Sequence, residues 1–318
     1  MVQKISKAGA KINVSLIVPY YNEEQTIKST LKMIESQSYQ PKEVILVNSS
    51  STDNTSEIID KFINDSSYSK IYKNIASNSK TPSSSKNIGI KMAKYEYLAF
   101  MDCGLNFQDN WLKKQVERIR SNNFEIISGL CVLKGNSFID TAIVSQTYGV
   151  GTKRACIPGS LIKKSVFNRI GLFLENSRAG YDRAWQKQVL ILGVKKYMPE
   201  IPNVEYMGVN YANSLLKVFI KTILYSKASA SIYDFGLPKI YLSLFVCFVV
   251  LTFFSLKLSL FFSIAYGLIR GFVIPFLKSS VYKPLLNFNT FLLLPITGLV
   301  YDVSRVIGFV IGLSRNFK

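Results

Sequence analysis

The 318-residue chain contains no histidine. Ser-His-Asp and Cys-His arrangements, histidine general bases and the usual His-ligated zinc sites are therefore excluded, and proton transfer must rest on carboxylates, lysine or tyrosine. Cysteine is scarce as well: Cys103, Cys131, Cys156 and Cys247 form no C-x-x-C pair and read as reduced or buried thiols, not a disulfide framework. Acidic residues number 20 against 39 Lys and Arg, a formal net charge of +19. Such a balance suits nucleic acid, an anionic leaflet or an anionic substrate. The lysines are scattered and no zinc-finger, RNP-like or compact basic motif is present, so no nucleic acid is expected as a partner. A membrane surface and a diphosphate-bearing substrate are expected instead. The first residues, MVQKISKAGAKIN, lack a long apolar core, and no cleaved signal peptide is expected.

What is present is unevenly spread. Residues 1–235 mix polar and apolar positions like a soluble domain, whereas Lys239–Leu313 is strongly apolar. Within the first part, Val14–Thr55 sets the frame. An apolar run ends at Pro19, a polar hexad follows, Ile27, Leu31 and Ile34 recur on one helical face, and Glu43–Val47 is a short β-branched run of the kind found in buried parallel strands. This predicts a right-handed βαβ unit whose loops, Pro19–Glu24 and Asn48–Asp53, face one crevice beyond the strand ends. Further on, Ile58, Ile59 and Phe62 predict a helix, Lys70–Lys73 a short third strand, and Tyr97–Met101 a fourth strand with Asp102 at its carboxyl end. Trp111 and Leu112 anchor an amphipathic helix, and Phe124–Leu133 reads as another strand.

Four passages resemble glycosyltransferase family 2, which has the GT-A fold. PYYNEE matches its P-x-Y-N-E segment, and VNSSSTDNT stands where the family has V-D-D-G-S-T-D, with Asn48, Ser49 and Ser50 replacing Asp, Asp and Gly. KNIGIKMAKYEYLAFMDCG follows its R-N-x-G to D-x-D passage at Lys86, Asn87, Gly89, Ala93, Tyr97 and Asp102. The stretch from Pro158 to Glu200 resembles its acceptor-side block, matching at Gly171, Phe173 and Gly193, with Tyr181-Asp182 in place of an E-D pair.

The resemblance implies an α/β fold: a Rossmann-like, mostly parallel GT-A domain over 1–210, an amphipathic interfacial helical linker over 211–238, and two or three transmembrane helices over 239–318. It implies inverting transfer of a sugar from a nucleotide-diphosphate donor to a lipid-linked or surface-glycan acceptor. The setting implied is the inner (cytoplasmic) membrane, with the catalytic domain facing the cytoplasm. Pro19, Tyr21, Glu23, Asn48, Ser49, Lys86 and Asp102 would bind the donor, Tyr21 by stacking on the base. Lys86 stands where the family often has Arg and keeps the cation without the bidentate fork. The family's D-x-D holds Mg²⁺ or Mn²⁺, but here Gly104 takes the second position and leaves Asp102 as the single carboxylate. Three readings stay open: a metal completed by the donor, a metal-independent transferase using cations, and a fold without catalysis. Asp182 would deprotonate the acceptor, its carboxylate favoured by a helix N-terminus. Alternatives are a polyprenyl-phosphate sugar synthase and a non-catalytic membrane-bound relative. Asn136–Ile157, with little periodicity, would be a mobile flap near the acceptor.

In the tail, Leu216, Phe219, Ile220, Ile223 and Leu224 share one face of an interfacial helix. Ile240–Ser255, Leu258–Leu277 and Phe291–Leu313 are the apolar segments; the first two would form a hairpin in which Arg270 snorkels to the interface. Asp302 and Arg305, three apart, would neutralise each other, and Lys278 and Lys283 favour a cytoplasmic connecting loop.

Overall fold

A computed structural model describes residues 12–175, 177–207, 214–230 and 236–314. Along the chain run β1 (Val14–Tyr20), α1 (Ile27–Glu35), β2 (Glu43–Asn48), α2 (Thr55–Asp65), β3 (Tyr72–Ala76), α3 (Pro82–Met92), β4 (Tyr97–Phe100), β5 (Asn106–Phe107) and α4 (Trp111–Ser121). Then come β6 (Ile126–Lys134), α5 (Phe138–Thr147), β7 (Lys153–Lys163), α6 (Lys164–Ile170), α7 (Tyr181–Ile191), β8 (Lys196–Tyr197) and β9 (Val204–Met207). The last elements are α8 (Leu215–Ser229), α9 (Gly236–Phe254), α10 (Leu256–Leu268), a π-helical turn Ile269–Val273, α11 (Ile274–Lys278) and α12 (Phe288–Ser314).

The chain divides into two compact units. The first comprises the chain up to Cys131, residues 155–176 and Trp185–Val204; the second comprises Val132–Arg154, Ser177–Ala184 and the chain from Glu205 onwards. The sheet order is β3-β2-β1-β4-β7-β6-β9-β5, with β8 beside β6. β3, β2, β1 and β4 are mutually parallel and β7 runs antiparallel to β4, so the βαβ frame sits in a mixed sheet.

Register aligns the crevice. Tyr20 pairs with Asn48 and Asn48 with Ala76, so β1, β2 and β3 end level. β1 and β2 are buried along almost their whole length, as expected of inner parallel strands. Helix α3 lies on β1 and β2 because Gly89 allows it: a Cβ there would stand 2.5 Å from Ile17 Cγ2. Asn87 then fixes the following segment, donating to Phe173 O at 2.8 Å and accepting from Phe173 N at 3.0 Å. Phe173 packs in a cluster with Phe100, Phe167 and Trp185, and the Trp185 indole donates to Gly171 O at 2.9 Å. The motif Phe of the acceptor-side block thus serves packing, while Gly171, at φ +96° with open space around it, serves the turn.

Three local expectations are corrected. The third strand begins at Tyr72, because Ser69–Ile71 forms a 3₁₀ turn. The expected flap is a helix followed by a strand, α5 and β7; Ser137 caps α5 by accepting from Asp140 N at 3.1 Å. Residues Asp140–Gln146 are all buried, and a helix without a polar face shows no amphipathic period. Arg270 does not snorkel. It is buried and bound in a fork by Asp302, at 2.5 Å from Nε and 3.0 Å from Nη2, while Arg305 stands further off, at 3.6 Å from the same carboxylate.

Within the second unit α12 packs on α8, α5 and the π-helical turn, and Ile143, Val218 and Tyr301 share one small core. Val218 and Thr222 face inward from α8, leaving Leu216, Ile220 and Leu224 exposed along one side. Leu256–Lys278 and Phe288–Leu313 are long and apolar enough to cross a membrane; Leu242–Phe254 is apolar but shorter.

Candidate active site

Two loops at the strand ends are stapled together. Asn22 Oδ1 accepts from Thr52 N at 2.8 Å, Asn22 N donates to Ser51 Oγ at 3.1 Å, Glu23 N to Thr55 Oγ1 at 2.8 Å, and Glu24 N to Asp53 Oδ2 at 3.3 Å. Asp53 also accepts from Thr55 N and Oγ1, and these bonds outweigh its desolvation and hold the carboxyl below its usual range. The loops carry backbone strain. Asn22 sits at φ 54° and Ser50 at φ 63°, a left-handed region that costs a residue with a Cβ about 1–2 kcal/mol. At 50 this explains why glycine suits the family's turn, and Ser50 offsets the strain by donating from its hydroxyl towards Ser77 O and Ser79 O.

Behind these loops lies a line of buried polar groups. The Ser49 and Ser85 hydroxyls are 2.6 Å apart, and next in the chain Lys86, almost fully buried, donates from Nζ to Asp102 Oδ1 at 2.8 Å. Asp102 keeps about a third of its side-chain surface, 34%, so the carboxylate is the open end of the pair. Sequence reasoning passes over Ser85; the one signal for it is its place directly before Lys86 in the serine tract. Cys103 follows, its thiol directed at Pro19 O at 3.9 Å; burial first, then the nearby Glu23 and Asp102 charges, push it well above the ordinary thiol range. It is a neutral thiol and no nucleophile. Burial likewise raises Glu23, aided by Asp102 and Asp53 and opposed by the bond from Thr26. Tyr21 leaves its ring on the surface at 48% exposure, while Asn48 Oδ1 is spent on its own turn, accepting from Ser51 N at 2.7 Å.

Pro19, Tyr21, Glu23, Asn48, Ser49, Lys86 and Asp102 all belong to the first unit, at or behind the carboxyl ends of β1, β2 and β4. Asp182, half-buried in the first turn of α7, belongs to the second. A resident divalent ion is not matched by these side chains. Among the described residues no three His, Cys, Asp or Glu groups are placed to hold one. Gly104 offers no ligand, the Cys103 thiol is protonated, and Asp102 already carries an ammonium.

The model of glycosyl transferase family 2 matches residues 15–186, more than half of the chain and all of these loops. The chain belongs to glycosyl transferase family 2. Relatives of this family 2 glycosyltransferase include an uncharacterized glycosyltransferase of Haemophilus influenzae, 30% identical over 126 residues, covering 39% of this chain and 50% of that one. The poly-beta-1,6-N-acetyl-D-glucosamine synthase of Staphylococcus epidermidis is 30% identical over 109 residues, 34% of this chain and 26% of its own length. The chain thus spans at most half the length of these curated relatives. Among solved structures, the mannosyltransferase PcManGT of Pyrobaculum calidifontis, in complex with GDP-Man and Mn²⁺, superposes with a TM-score of 0.56 at 17% identity, covering 92% of this chain and 88% of that one. That likeness speaks to the fold, and with the family match the mixed, mostly parallel sheet is a GT-A domain.

Proposed function

We propose that this glycosyltransferase moves a sugar, with inversion, from a nucleoside-diphosphate donor to a lipid-linked or surface-glycan acceptor at the inner face of the cytoplasmic membrane. The observation that carries the donor half is the buried Lys86 ammonium on Asp102, next in the chain to Ser85, whose hydroxyl meets that of Ser49. A diphosphate leaving group gains negative charge as its bond to the sugar breaks, and a fixed cation in a poorly hydrated site stabilises that charge without reorganising. In this reading Lys86 is shared between Asp102 and the diphosphate and takes the part of a divalent ion. The exposed ring of Tyr21 is suited to stacking on the base, and Ser49 to hydrogen-bonding the nucleoside. The acceptor hydroxyl oxygen attacks the anomeric carbon, the bond from that carbon to the diphosphate oxygen breaks with its electron pair leaving on the diphosphate, and the hydroxyl proton passes to Asp182. That carboxylate lies in the first turn of α7.

The proposed organisation is a transferase over 1–210, a linker over 211–238 and a membrane anchor over 239–318. The two long apolar helices support the anchor, and Lys278 and Lys283 between them support a cytoplasmic loop. Membranes carrying the protein, incubated with a panel of radiolabelled nucleotide-diphosphate sugars, should pass label into lipid or glycan. Asp182→Asn should lower that transfer about 10²- to 10⁴-fold, with donor binding kept. Transfer undiminished in Asp182→Asn removes Asp182 as the base.

A further inference from the structure

The second unit contains more positive charge than it can neutralise. Gln146, on α5, accepts from the Arg270 guanidinium through its side chain and from Lys278 Nζ through its backbone oxygen at 2.9 Å, and donates to Leu294 O at 2.6 Å. Tyr266 and Arg270 both donate to Asp302, so this carboxylate is already occupied. Lys278 is nevertheless gathered with three arginines: it shares Gln146 with Arg270, Arg270 shares Asp302 with Arg305, and Arg154 lies two residues beyond Thr152, whose hydroxyl is bonded to Lys278 O. Four cations therefore face one carboxylate. Among the described residues Lys278 and Arg154 have no acidic partner, and Arg305 has only its long contact to Asp302.

The arrangement is built, not incidental. Gly149, at φ +84°, lets the chain close on the end of α11, where a Cβ would stand 2.0 Å from Lys278 O. Thr152 Oγ1 donates to that oxygen at 2.6 Å, Val150 N donates to Ser279 Oγ at 3.0 Å, and Ser280 N to Val150 O at 2.9 Å. These bonds fix residues 149–152, two residues before Arg154, on the end of α11. The guanidiniums of Arg154 and Arg305 are steadied over the rings of Tyr148 and Tyr301, at 5.2 and 5.1 Å. Lys278, Arg154 and Arg305 are only half-buried, so a ligand can reach them.

Uncompensated cations beside apolar helices are costly and mark a place for an anion. Two guanidiniums and an ammonium suit the several oxygens of a phosphate. Next to Lys278 the side chain of Leu277 is 80% exposed, and Val281 and Tyr282 are also exposed, an apolar surface for a hydrocarbon tail. We infer that Arg154, Lys278 and Arg305 form a binding site for the phosphate headgroup of a membrane lipid. It goes beyond the transfer reaction and needs no turnover to be tested.

The test is calorimetric titration of the detergent-solubilised full chain with dihexanoyl phosphatidic acid, dihexanoyl phosphatidylcholine and inorganic phosphate. The phosphatidic acid should bind tightest. Arg154→Gln and Arg154→Gln/Arg305→Gln should each weaken it, by ~10-fold for every charge-assisted hydrogen bond removed, whereas Lys217→Gln/Lys221→Gln on α8 should change it little. Arg270 and Asp302 stay untouched, and Arg154→Gln alone spares the buried network, so loss of binding there is not loss of fold. Equal affinity for phosphatidylcholine, or full affinity in both Arg154 variants, overturns the site. Inorganic phosphate binding as tightly as the lipid overturns the lipid assignment.

Discussion

Lys86 and Asp102 form one ion pair but are unequally buried, with 1% and 34% of their side-chain surfaces exposed, and this makes their removal asymmetric. Asp102→Asn leaves an ammonium in a dry site. Stripping one partner from a buried pair costs about 3–5 kcal/mol, and because one end of this pair is open the low end applies, about 3 kcal/mol. Lys86→Met leaves a carboxylate that water can reach, so the loss is about 1 kcal/mol, as for a screened pair. The double variant should resemble Lys86→Met, a coupling of about 3 kcal/mol. Trp111 and Trp185 are buried in the same unit, so thermal unfolding followed by their fluorescence reports the effect. At roughly 2–4 °C per kcal/mol, Asp102→Asn should melt about 4–8 °C below Lys86→Met. Equal melting temperatures, or the reverse order, would refute the reasoning.

Gly104→Asp tests the missing ligand. At φ +71° the substitution costs about 1 kcal/mol, but its Cβ meets nothing closer than Thr26 Cγ2 at 3.5 Å; Mn²⁺ should tighten nucleoside-diphosphate binding in this variant by ~10-fold, measured by calorimetry. Glu23, raised by burial, opposes folding once it ionises, so its contribution is favourable at low pH and disappears as pH rises from its unfolded value of 4.5 through the raised folded one. Glu23→Gln should therefore gain on wild type in melts at neutral pH and lose that advantage towards pH ~4.5. Asn87→Ala removes both bonds to the Phe173 backbone and should cost about 2 kcal/mol in chemical denaturation, and Asn87→Asp, which sets a buried carboxylate against Phe173 O, should cost more.

Much of the crevice is legible in the chain because its signals are local. The spacing of Ile27, Leu31 and Ile34 and the run Glu43–Val47 mark α1 and β2, and α1 buries those three residues. The motif positions put Asp102 just beyond the end of β4, within reach of Lys86, sixteen residues earlier. What the chain conceals depends on partners distant in sequence. Arg270 looks like a snorkelling residue because Asp302, 32 residues on, becomes its neighbour only once α12 packs on the π-helical turn. Helix α5 is hidden because burial on every side erases the periodicity that reveals a helix. The Ser49–Ser85 contact joins two strings of small polar residues that carry no directional signal of their own.

The central claim is a donor site built on an internal ammonium. It is tested most directly by calorimetric titration of the wild-type protein with a panel of nucleoside diphosphates, in EDTA and again in excess Mg²⁺ or Mn²⁺. Affinity for one diphosphate that is unchanged by metal and abolished in Lys86→Met is the predicted result. Binding that vanishes in EDTA and returns with Mn²⁺ would contradict it.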